Sequence, residues 1–163
     1  MNLPFYLQSV VVKAQLSIQL KPDSFQPLQA LAEWHQILGA KLGSLPAAES
    51  NFIGRVRPSG LCDAPLEALE LEHYPGMCEA QLHQLAATAA ASNNAIAVLV
   101  WHRVGKVLAS DVIVLVAVVA NHRRQAQRCC QELLEALKHE APFWKKEWLA
   151  DGSNSWVQGN TPF

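Results

Sequence analysis

Lys138 is followed closely by A-P-F-W-K-K-E, residues 141–147, which sets Lys145 and Lys146 beside Pro142, Phe143 and Trp144. A lysine packed against apolar rings is partly withdrawn from water. Its pKa falls, and it can exchange a proton or present a poorly screened positive charge to an anion. The plainer reading is that Lys138, near a helix C-terminus, only offsets the helix dipole. A second basic group, Asn121-His122-Arg123-Arg124, follows the apolar run 112–120 and opens a helix. Helix N-termini offer unpaired N–H groups to anions, and cations there oppose the dipole unless something negative sits between them. The pattern points to a phosphate or carboxylate site, against the alternative of a solvated basic turn. Arg55 and Arg57, after Gly54, form a third group. His73 and His102 lie at strand ends, where histidine is commonly a hydrogen-bonded boundary residue. The sequence shows no nucleophile triad, phosphate-binding glycine loop, dinucleotide fingerprint or metal constellation.

Charge is distributed to match. The whole chain carries a net charge of −1, which argues against general binding to nucleic acid or anionic membranes. Residues 1–100 hold five Lys and Arg against eight Asp and Glu, whereas residues 101–147 hold eight against five. An anion site is therefore expected toward the C-terminal half. Cys62, Cys78, Cys129 and Cys130 follow no zinc spacing and are read as reduced packing thiols, with a Cys129–Cys130 redox pair as the sharper alternative. The apolar runs 95–101 and 112–120 fall far short of the ~20 residues of a membrane-spanning helix. With no positively charged leader before the first apolar stretch, a cytoplasmic location is expected.

At 163 residues the chain is expected to be one domain, 1–163, with a substantial core. V-V-V-K-A-Q-L-S-I-Q-L near the start alternates like an edge strand. Pro27 then sits in the first turn of a helix with Leu28, Leu31, His35 and Leu38 on one face, ending near Gly39. N-F-I-G-R-V-R reads as a strand, and Gly54 removes a side chain where something approaches closely. L-E-A-L-E-L-E-H-Y is a further strand, and Pro75 opens a helix presenting Cys78, Leu82, Leu85 and Ala89. I-A-V-L-V-W-H-R-V-G and D-V-I-V-L-V-A-V-V-A, apolar on both faces, read as neighbouring buried strands joined by a short G-K-V-L-A-S connection. Asn121 is placed to cap a last helix, to about His139, carrying Ala126, Cys130, Leu133 and Leu137 on one face. The sum is an α+β fold, with helices on one face of a mixed, mostly antiparallel sheet.

Five stretches in order carry a resemblance: F-x-G-x-V-R at 52–57, L-x-L-E-H-Y-P-G-M at 69–77, H-R-V-G at 102–105, N-H-R at 121–123 and L-K-x-x-A-P-F-W-K-K-E at 137–147. Together, over about residues 25–157, they resemble the large, catalytic subunit of molybdopterin synthase. The resemblance implies an α/β hammerhead-type fold and a sulfurtransferase of molybdenum-cofactor biosynthesis, with no cofactor and no metal of its own. Such an enzyme converts cyclic pyranopterin monophosphate to molybdopterin. The sulfur comes from the C-terminal Gly-Gly thiocarboxylate of a ubiquitin-like small subunit, in a heterotetramer built on a homodimer of the large one. Carried over residue by residue, the resemblance assigns catalysis to Lys138 and Lys145. Substrate binding falls to Arg55, Val56, Arg57, His122, Arg123, Lys146 and Glu147, with Phe143 and Trp144 keeping water from Lys145. The A-E-S-N stretch before Phe52 and the short R-P-S-G-L-C-D-A-P loop depart from the family pattern. A non-catalytic module holding a ubiquitin-like tail and a pterin-phosphate binder are the competing readings.

Overall fold

The computed structural model describes residues 13–60 and 63–158. They form β1 (Gln15–Lys21), α1 (Pro27–Leu42), β2 (Ala48–Arg55), β3 (Leu66–Glu72), α2 (Met77–Asn93), β4 (Ala97–Arg103), β5 (Gly105–Leu108), β6 (Val112–Ala120), α3 (Arg123–Glu140), β7 (Trp144–Leu149) and β8 (Asn154–Trp156). Two four-stranded sheets result, ordered β1-β4-β6-β2 and β5-β3-β7-β8. The first is mixed, because β1 runs parallel to β4 while β4–β6 and β2–β6 are antiparallel; in the second every pairing is antiparallel. The α+β class holds, but the single sheet expected from the sequence is two.

The central strands explain where the helices go. Side chains alternate across a strand, so β-branched and aliphatic residues at every position demand cover on both faces. Val98, Val100, Val116 and Val118 pack with Cys78, Leu82, Cys129, Cys130 and Leu133 of α2 and α3. Ala97, Leu99, Leu115, Ala117 and Val119 instead join Ala30, Leu31, Trp34 and Leu38 of α1. Helices therefore cover both faces of the first sheet, correcting the expectation of one. The continuous apolar character of β4 and β6 already required this.

Local departures have local causes. The buried stripe of α1 runs through Pro27, Ala30, Leu31, Trp34 and Leu38, so Leu28 turns to solvent at 72 % exposure. His35 sits at the boundary, 2.7 Å from the Glu49 carboxylate of β2. α1 passes Gly39 and ends where Gly43 adopts φ 79°, its N–H donating to the Gly39 carbonyl. At α3 the cap falls on His122, one residue later than expected, and its N–H donates to the Gln125 side chain at 3.2 Å. The A-E-S-N stretch does form strand, paired along β6 from Ala48 opposite Ala120. G-K-V-L-A-S is not a simple connection, since Gly105 turns at φ 72° and starts β5, which moves the chain into the second sheet. The Lys145 segment, to which the sequence assigns no element, is β7 of that sheet.

Candidate active site

Where the sheets meet, a cavity of about 460 Å³ opens between the end of β2, the start of β6, the C-terminal turns of α3 and strand β7. Its walls are mostly apolar, from Phe52, Leu66, Leu69, Leu71, Ile113, Val114, Leu137 and Phe143. Gly54 lies in this lining at a break in the β2–β6 register, and a Cβ there would come within 2.7 Å of Val114 Cγ1. The missing side chain thus makes room for a neighbouring strand.

Charged groups enter this apolar enclosure from separate elements. Arg55 closes β2, and Arg57 follows buried Val56, whose backbone is pinned by bonds to Asp111 and Ser110. Lys138 comes from the last turn of α3, and Lys145 and Glu147 come from one face of β7. Burial pulls the Lys145 pKa below that of an ordinary lysine, and the nearby Lys138 ammonium lowers it further. Glu147 is 4 % exposed, with the Gly60 backbone against its carboxylate: a Cβ on Gly60 would lie 2.7 Å from Glu147 Oε2.

His102, at the end of β4, also lines the cavity. Its ring lies flat on Phe143, centroids 4.5 Å apart at 18°. A carbonyl only accepts, so the 2.8 Å contact to the Arg103 oxygen places the ring proton on Nδ1. Burial, and secondarily the Lys145 charge, push its pKa down to about 4, against the raising effect of the Arg103 carbonyl. The imidazole is therefore neutral at physiological pH. The sequence marks His102 only as a strand-end histidine, and the signal it offers is the residue's place in H-R-V-G.

Of the residues singled out in the sequence, Arg55, Val56, Arg57, Lys138, Lys145 and Glu147 converge on this cavity, and Lys146, His122 and Arg123 do not line it. Period-2 alternation turns Lys146 to the opposite face of β7, with Nζ 4.9 Å from the Trp148 ring centroid and 5.2 Å from that of Trp156. Trp144 shares that outer face and meets Tyr74 edge-on at 5.2 Å, so only Phe143 of the expected pair shields Lys145. His122 and Arg123 are exposed at the opposite end of α3, roughly 22 Å along the helix from Lys138 at 1.5 Å per residue.

Cys78, Cys129 and Cys130 are buried free thiols. Burial drives Cys78 up to about 11 and Cys129 up to about 12, and raises Cys130, so all three are poor nucleophiles at neutral pH. They pack the α2–α3 core, and Cys62 lies outside the described residues. No helix among the described residues is long and apolar enough to cross a membrane.

A two-sheet α+β chain with a basic, apolar-walled cavity at the sheet junction is the class these observations define. Residues 28–140 match the family described as MoaE protein. The molybdopterin synthase catalytic subunit of Ralstonia nicotianae is 44 % identical over 130 residues, covering 74 % of this chain and 70 % of the relative. The molybdopterin biosynthesis MoaE protein from Burkholderia ambifaria superposes with a TM-score of 0.68 at 41 % identity over 91 % of both chains. A chain from Helicobacter pylori, solved as a protein–protein complex of subunits 1 and 2 of molybdopterin-converting factor, has the same fold at 19 % identity, TM-score 0.68, over 88 % of this chain and 90 % of that one. This chain belongs to the MoaE family.

Proposed function

We propose that this chain is the large, catalytic subunit of a molybdopterin synthase, working as one domain in the cytoplasm. It transfers sulfur from the C-terminal thiocarboxylate of a ubiquitin-like small subunit to cyclic pyranopterin monophosphate in molybdenum-cofactor biosynthesis. The observation that carries this reading is the convergence of Arg55, Arg57, Lys138 and Lys145 on one apolar-walled cavity in a chain of this family. Both reactants are anions. Bringing them together requires fixed positive charge where water screens it poorly, and the enclosure strengthens every such contact.

In this reading Arg55 and Arg57, both exposed beside buried Val56, hold the phosphate. In the same reading Lys138 and Lys145, both half-buried, stabilise the oxyanion formed at the thiocarboxylate carbonyl and donate protons. Glu147 adds a buried carboxylate to the same lining. His122 and Arg123 cannot reach the cavity of their own chain. A second copy, with the N-terminus of its α3 at the cavity mouth, supplies them in a homodimer.

The test is to mix the protein with thiocarboxylated small subunit and precursor pterin and to assay dithiolene product. Product supports the synthase. A complex with the small subunit that yields none favours a non-catalytic module, and pterin binding that ignores the small subunit favours a phosphate-metabolite binder.

A further inference from the structure

The chemistry proposed above does not yet assign the group that accepts a proton from water. When the donor sulfur bonds to a pterin carbon while still attached to the partner's terminal carbonyl, the link is a thioester. Water must cleave it. Oxygen bonds to the carbonyl carbon as one water proton passes to a base, the carbon–sulfur bond breaks with its electron pair staying on the pterin sulfur, and the carboxylic acid so formed releases the second proton to solvent. Lys138 and Lys145, held as ammonium ions to stabilise the oxyanion, are not available as bases until they have given up a proton, whereas a neutral imidazole is a base from the start.

We propose that His102 is a catalytic residue of this step, its Nε2 taking a proton from the water that releases the small subunit from the pterin. The inference rests on the synthase reading. His102 lines the cavity that Lys138, Lys145 and Glu147 also line. Its Nδ1–H is committed to the Arg103 carbonyl at 2.8 Å, which leaves Nε2 as the lone-pair nitrogen. The flat stack on Phe143 fixes the ring plane. A base held by a backbone carbonyl on one nitrogen and carrying its lone pair on the other has the tautomer the step needs. Burial beside Lys145 keeps the imidazole unprotonated, with a pKa of about 4. The two anionic reactants add negative charge around it, which raises its basicity when the site is loaded. Glu147 and Glu135 also line the cavity. Glu147 is enclosed by the Gly60 backbone, and Glu135 pairs with His139 at 3.5 Å on α3.

The experiment is a single turnover with thiocarboxylated small subunit and precursor pterin, quenched at intervals and weighed as intact protein. In wild type the covalent small-subunit–pterin adduct is transient. His102→Gln keeps a hydrogen-bond acceptor but takes no proton, and His102→Ala opens a void for added imidazole. Both should form the adduct normally, release it about a hundredfold more slowly, and in the alanine variant recover release with imidazole. Wild-type release by His102→Gln overturns the proposal. So does loss of adduct formation in variants that melt like wild type, which would place His102 in binding. Should wild type form neither adduct nor product, the synthase reading itself falls, a result distinct from either.

Discussion

Replacing Gly60 with alanine tests whether the loop before β3 is seated on the buried carboxylate of the site. An added Cβ would stand 2.7 Å from Glu147 Oε2, 3.2 Å from its Cδ and 3.3 Å from Leu149 Cδ2. Glu147 is 4 % exposed and so has little room to swing away; either the loop lifts or the carboxylate is displaced within the cavity wall. Overpacking of this kind costs about 1–3 kcal/mol. For a chain of this length, each kcal/mol moves the melting temperature by roughly 2–4 °C, so Gly60→Ala should melt roughly 2–12 °C lower. Gly39, inside α1 with nothing within 4 Å of its would-be Cβ, is the control. Alanine there should stabilise by about 0.4–1 kcal/mol through reduced freedom of the unfolded chain. Thermal melts of both variants and the dithiolene assay on Gly60→Ala are the measurements, with turnover falling as Glu147 shifts beside Lys145. A Gly60→Ala protein that melts and turns over like wild type would refute the seating of this loop on Glu147.

Lys138→Ala should abolish or severely reduce dithiolene formation while the melt changes little, since a half-buried helix-end side chain is removed; full activity removes its assigned role. Lys145 has its pKa lowered, by burial first and by Lys138 second. Its amine should therefore acetylate faster than exposed lysines at mildly alkaline pH, and Lys138→Gln, by deleting a like charge, should raise the pKa and slow labelling. Equal labelling rates in the two proteins contradict that coupling. Arg57→Ala should weaken pterin-phosphate binding by about tenfold or more, read by calorimetry, because charge-assisted hydrogen bonds are worth roughly 1.5–3 kcal/mol. If a second copy supplies His122 and Arg123, mixing inactive Lys138→Ala with inactive Arg123→Ala protein should restore part of the activity through mixed dimers; none restored returns both residues to an unrelated surface.

The order of elements was largely legible in the residues themselves. β-branched runs marked β4 and β6, the buried face of α3 followed its 3.6-residue spacing, and the family motifs named most of the groups that line the cavity. Three matters depended on long-range geometry. The division into two sheets turns on Gly105, whose positive φ redirects the chain after β4, and a single glycine in a sequence does not announce the direction of its turn. The sidedness of Lys145 and Lys146 turns on β7 being a strand: in the sequence W-K-K-E looks like one basic patch, yet pairing with β3 sends one ammonium into the cavity and the other onto Trp148 and Trp156. The meeting of Arg55, Lys138 and Lys145 turns on the packing of β2, α3 and β7 against one another, and spacing along the chain says nothing of that distance. Residue types and spacing therefore determined which groups carry charge and which faces must be buried. Only tertiary packing decided which of those charges share an enclosure, because chain segments remote in sequence meet there and water is excluded only once they do.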